Sequence, residues 1–229
     1  MKRFTSLIAR GLIVSCQARR ADAMYGSRFM AQMAAAAEQG GAVAIRADGH
    51  EDITAIRDQT SLPIIGITKN YYPSSAVYIT PTFADAAEAV TAGAHAVAID
   101  ATPRVRPGGA KLDTLIDRIH VELDVPVMAD VSNLDEGLHA ERLGADAIAT
   151  TLAGYVSECP PPAGPDLGLV RDLAQSLQVP VVAEGRYQTP AHAAAALKLG
   201  AYAVVVGSAI TRPHVIVERF VSAIKRRTG

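Results

Sequence analysis

Residues 199–208 read LGAYAVVVGS: a Gly-Ala signal, a short aliphatic run, and a polar handover at Gly207-Ser208. The phrase recurs along the chain. GGAVAIR ends at Arg46, AGAHAVAID at Asp100 and LGADAIATT at Thr151. With Pro in place of Gly-Ala, LPIIGITK ends at Lys69, VPVMAD at Asp130 and VPVVAEG at Glu184-Gly185, while GLIVSCQ opens the set and ends at Gln17. The runs are rich in Val, Ile and Ala without polar alternation, as in strands buried on both faces.

Helical stretches fill the intervals. Thr189-Pro190 starts AHAAAALKL before Gly200, Ser132 or Asn133 starts EGLHAERL before Gly144, and Thr82 precedes FADAAEAVTA before Gly93. A polar cap, Pro at the first helical position and Gly past the end are the expected punctuation. Segments 27–39, 51–59, 111–122, 166–177 and 214–226 also read as helices. Strand and helix alternating roughly every 25–30 residues predicts a parallel α/β fold. Eight strands closed into a (β/α)₈ TIM barrel leave no sheet edge, whereas the alternative, a doubly wound open sheet, leaves two. No linker or low-complexity stretch divides the chain, so 1–229 reads as one domain.

Composition narrows the partners. Lys plus Arg number 22 against 23 Asp plus Glu, so there is no basic field for nucleic acid or a membrane surface. A hydrophobic share of 49% supports a sizeable core. Cys16 and Cys159 do not make a disulfide framework and point to a reduced, cytoplasmic setting. The opening MKRFTSLIARGLIVSC has features of an export signal, but Arg10 interrupts its apolar run, which serves better as a first strand.

Barrel active sites lie at the C-terminal ends of the strands. Gly207-Ser208 then opens a short helical turn, with Gly185 at the neighbouring strand end and Arg212 just beyond. Outward-facing amides and a cation make an anion site suited to phosphate. Lys69 is a candidate general base or Schiff-base former, and Glu184 an acid/base group or the partner of a cation. Asp130 either touches ligand or orients Lys69, and Asp100 reads as an ion-pair partner for the arginines that follow it. Arg46 and Gln17 offer donors and an acceptor to a carbonyl, a carboxylate or sugar hydroxyls. No histidine pair has ligand spacing beside carboxylates, so no metal is expected. Ser208 has no obvious His partner for a triad. The irregular segment 152–165 overhangs the expected mouth and is a candidate gating loop.

With GLIVSCQA, GGAVAIRADG, PIIGITK, ITPT, AIDATPRVRP, MADVSNLDEG, TTLAGY, VVAEGRYQTP and GAYAVVVGSAITRP in place, nearly the whole chain resembles the bacterial N-acetylmannosamine-6-phosphate 2-epimerases. The resemblance implies interconversion of N-acetylmannosamine 6-phosphate and N-acetylglucosamine 6-phosphate in amino-sugar and sialic acid breakdown, without metal or nucleotide. It implies Lys69 as base at carbon 2 and Glu184 as its catalytic carboxylate partner. Gln17, Arg46 and Asp130 would contact the sugar and its N-acetyl group. Gly185, Arg186, Gly207, Ser208 and Arg212 would line the phosphate end. A homodimer through the C-terminal helix after Pro213 is implied as well. The sequence departs from the family at ARRADAMYGSR after Gln17, at Thr68, and at Ser208, where a second glycine is common. The rival readings are a Schiff-base sugar-phosphate aldolase and a non-catalytic sugar-phosphate sensor.

Overall fold

The computed structural model describes residues 4–156 and 163–228. The recurring phrases form eight parallel strands: β1 (Gly11–Cys16), β2 (Ala44–Asp48), β3 (Ile64–Ile67), β4 (Ala96–Asp100), β5 (Val127–Asp130), β6 (Ala147–Ala149), β7 (Val181–Glu184) and β8 (Ala203–Val206). They close in sequence order, with β8 pairing back on β1 so that Gly11 lies opposite Ala203 and Val14 opposite Val206. Closure excludes the doubly wound alternative.

The helices are α1 (Phe4–Leu7), α2 (Ser27–Gln39), α3 (His50–Arg57), α4 (Phe83–Thr91), α5 (Leu112–Arg118), α6 (Leu134–Arg142), α7 (Leu167–Ser176), α8 (Pro190–Lys198), α9 (Ser208–Thr211) and α10 (Pro213–Thr228). The starts of α4, α6, α7 and α8 carry side-chain caps. Thr82 and Asp85 form a reciprocal capping box on α4, a motif whose loss costs about 1 kcal/mol. Asn133, not Ser132, caps α6, accepting from the Glu136 amide at 3.0 Å.

Side-chain alternation along the strands sets the interior. Ile13, Ile65, Ile67, Met128, Val182 and Val205 pack with small residues such as Ala44, Ala98 and Ala149 in one buried cluster. Phe4 and Ile8 join that cluster, so α1 stoppers the N-terminal end of the barrel, a role the sequence reading did not assign. Residues of opposite parity, including Val14, Cys16 and Ile45, pack outward against Met30, Ala34 and Ile53. Cys16 is thus a small core residue, and burial pushes its thiol up to about 12. Cys159 lies outside the described residues.

The same parity builds the mouth. Two residues beyond an inward Ala44, Ile67, Met128, Ala149, Val182 or Val205 stand Arg46, Lys69, Asp130, Thr151, Glu184 and Gly207. The recurring polar endings are therefore the top inward layer. β2 runs further than GGAVAIR suggests and ends at Asp48, two residues beyond Arg46 and of the same parity.

Candidate active site

Arg46 sits at the centre of the floor, 1% exposed. Its guanidinium grips Asp130 through two bonds, of 3.0 and 2.5 Å, and donates to Glu184 at 2.5 Å. These groups come from β2, β5 and β7, so they meet across the barrel interior. Thr151 completes the cluster, donating to Asp130 at 2.6 Å and lying 3.1 Å from Glu184. Burial opposes the Arg46 charge, but Asp130 and then Glu184 outweigh it and hold the guanidinium above its ordinary value. Glu184 moves the other way. Burial is the main cause and raises it, Arg46 pulls it down, and nearby Asp130 raises it again. Its carboxyl therefore keeps a proton further toward neutrality than an ordinary glutamate does.

Lys69 stands just beyond β3. Its backbone is pinned by an antiparallel bridge to Ile79 and by a bond from its amide to Asp48 at 2.9 Å. Nζ donates to the Gln17 side-chain carbonyl and lies 3.1 Å from the Asp48 carboxylate. Thr68, one of the departures from the family pattern, donates its buried hydroxyl to the Asp85 carbonyl at 3.0 Å and braces this loop. Asp130 bonds Arg46 and Thr151 rather than Lys69, so the orienting carboxylate for the lysine is Asp48.

A cavity of about 350 Å³ opens over this floor, lined by Gln17, Arg46, Lys69, Thr151, Glu184, Gly185, Arg186, Gly207 and Ser208 among others. Gly185 adopts φ 105°, a left-handed conformation that a side chain would strain. At Gly207 an added Cβ would come within 3.3 Å of the Ser15 side chain, a tight contact that Gly avoids. A side cavity of about 170 Å³ adjoins it, sharing Gln17, Lys69, Gly207 and Ser208 and adding Asp22 and Arg212.

Of the expected ligand contacts, Asp130 is set back from the open space. Asp130 is fully buried and does not line the cavity, because Arg46 and Thr151 lie between it and the open space. Arg212 lines the side cavity together with Gly207 and Ser208 and donates to Asp22 at 2.6 Å. Just beyond β6, Thr151 adds its hydroxyl to the floor. Asp100 is the ion-pair partner expected, held by Arg104. The gating-loop expectation falls partly on 157–162, outside the described residues; Leu152 and Tyr155 line the cavity, and Arg186 donates to the carbonyls of Ala153 and Gly164, both at 2.7 Å.

Comparison with known proteins decides the family. Residues 30–226 match the family model described as "Putative N-acetylmannosamine-6-phosphate epimerase". The chain belongs to the N-acetylmannosamine-6-phosphate epimerase family. A relative from Caldanaerobacter subterraneus subsp. tengcongensis, named "Putative N-acetylmannosamine-6-phosphate 2-epimerase", is 51% identical over 221 residues, covering 96% of this chain and 93% of its own. A Clostridium perfringens relative (strain SM101 / Type A) of the same name is 45% identical, covering 96% and 99%. The solved N-acetylmannosamine-6-phosphate 2-epimerase from Clostridium perfringens superposes with a TM-score of 0.92 at 43% identity, covering 97% of this chain and 96% of that one.

Within this epimerase fold the sequence reading missed Asp48, Asp22 and Arg219. The spacing Arg46-Ala47-Asp48 was the available signal for the first, since two residues on along a strand returns to the same face. Arg219 carried none: it lies on α10, far along the chain from every strand end, yet lines the main cavity.

Proposed function

We propose that this protein interconverts N-acetylmannosamine 6-phosphate and N-acetylglucosamine 6-phosphate by removing and returning the proton at carbon 2. The observation that carries this reading is one cavity faced by a tethered lysine amine and by a buried carboxyl inclined to keep its proton. In the open-chain sugar, carbon 2 lies next to the aldehyde. The Lys69 amine takes its proton, the C–H electron pair forms the C1–C2 double bond as the carbonyl π pair moves onto oxygen, and an enolate-like intermediate forms. Asp48 and Gln17 fix the direction of Nζ. Glu184 donates to oxygen where negative charge develops, and Arg46 with Thr151 holds Glu184 in place. Delivery of a solvent-exchanged proton to the opposite face of carbon 2 turns the enolate back into the aldehyde and completes the epimerisation, while the Lys69 ammonium releases the first proton to solvent. Gly185, Gly207 and Ser208 supply backbone amides to the phosphate, which anchors the chain end remote from the reacting carbon. On this reading the protein acts in amino-sugar and sialic acid breakdown.

Turnover of N-acetylmannosamine 6-phosphate, followed by NMR, tests the reading. A covalent Lys69 adduct trapped by borohydride would instead support the aldolase, and binding without turnover the sensor.

Glu184→Gln is expected to reduce kcat by about 10²–10³-fold while leaving the fold intact. A group whose folded pKa is raised favours folding below its unfolded pKa, and that advantage is lost as pH rises through the folded value. Glu184 is such a group. Thermal melts from pH 5 to 8 should show the Gln variant gaining on the parent protein as pH rises.

The C-terminal helix supports a homodimer. Val217, Phe220, Val221 and Ile224 recur at helical spacing and all are exposed, Phe220 by 69%. Phe220→Glu should shift the protein to monomer in sedimentation velocity at micromolar concentration.

A further inference from the structure

Asp100 bonds the two arginines of the loop after β4 unequally. Its carboxylate is taken by Arg104 and by the amide and hydroxyl of Thr102. Arg104 completes its own set at the Thr102 hydroxyl and the Ala76 carbonyl. Arg106 is left with the Asp100 backbone carbonyl, which receives Nη2 but brings no charge. Its Nη1 is buried and has no hydrogen-bond partner among the described residues. Burial holds the guanidinium below its ordinary value; Asp100 opposes that shift and Arg104 adds to it. A buried cation so placed costs stability unless an anion completes it.

A place for that anion lies beside it. Arg106, 3% exposed, lines a cavity of about 390 Å³ between this loop and α6. The cavity shares no lining residue with the two cavities over the barrel floor. Val105, Leu112 and Leu143 give it apolar walls, while Lys111, Asp113 and His139 stand at its exposed rim. Charge selects the ligand. Arg104 and Arg106 against Asp100 leave one positive charge at depth, and Lys111 and Asp113 balance at the rim. A single carboxylate matches that excess, whereas a phosphate dianion exceeds it. The apolar walls suit a carbon body behind the carboxylate.

We propose that this cavity binds a small organic carboxylate on the Arg106 guanidinium, at a site separate from the active site.

Butyrate and benzoate are the probes, titrated into the full chain and followed by backbone amide shifts in NMR, with butyramide as the uncharged control. Each carboxylate should give saturable shifts at Arg106, Lys111, Leu112 and His139, and butyramide should not. Arg106→Met should weaken the affinity at least about 10-fold, the scale of a lost charge-assisted bond. Lys111→Glu changes only the exposed rim and should weaken it about 3-fold. Absence of saturable shifts with both carboxylates would overturn the proposal. So would equal binding of butyramide, shifts confined to the active-site residues Gly185 and Gly207, or unchanged affinity in Arg106→Met. Should Arg106→Met fail to fold, unchanged affinity in Lys111→Glu overturns it instead. No turnover is measured, so the outcome is independent of the epimerase reading.

Discussion

Lys69→Ala is expected to lose epimerisation by at least about 10³-fold, the upper range for removing a general base. The loss should fall on kcat, because phosphate anchoring does not involve this side chain. Stability should change little. The lysine side chain is 32% exposed, and what pins the loop is backbone: the Ile79 bridge and the amide bond to Asp48. Both survive truncation. Circular dichroism and a melting temperature within a few degrees of the parent would show that the fold is retained. Asp48→Asn is informative beside it. It keeps the hydrogen-bonding shape but removes the charge 3.1 Å from Nζ that orients the amine, so a smaller fall in kcat is expected.

Arg46→Met carries the largest expected cost in stability. Asp130 is fully buried and receives two bonds from Arg46. Removing the guanidinium leaves its charge in the barrel interior, with Thr151 as the remaining donor to its carboxylate. Breaking a buried pair in this way costs about 3–5 kcal/mol. Urea denaturation should show it as a lower midpoint at unchanged slope. Activity should also be lost, because Glu184 loses the cation that holds it. The double variant Arg46→Met with Asp130→Leu removes both charges together and should recover much of the stability without recovering activity. Recovery of activity in that double variant would show that the cluster is not needed for the chemistry.

The barrel was readable because its strands are written as one repeated phrase with repeated punctuation. The Gly-Ala or Pro entry, the aliphatic run and the inward polar ending recur together, and parity along the strand turned the endings into one layer. The candidate base and its carboxylate partner followed from that layer. The pairings within the layer were not readable. Asp130 and Asp48 are both acidic groups at strand ends, and sequence order does not say that Asp130 reaches across to Arg46 while Asp48 turns to Lys69. That depends on the stagger of strands around the barrel, which brings β2 opposite β5 and β7. Asp22 and Arg219 were hidden for a different reason. They approach the mouth from a loop and a helix, where no strand parity marks them. The α1 stopper was hidden by its brevity: four residues give no period to read.

Incubation with N-acetylmannosamine 6-phosphate in deuterated water tests the central claim most directly. Removal of the carbon 2 proton and delivery of a solvent-exchanged one predicts N-acetylglucosamine 6-phosphate carrying deuterium at carbon 2, with Lys69→Ala abolishing the exchange. Epimer formed without deuterium at that carbon, or full exchange by Lys69→Ala, would contradict it.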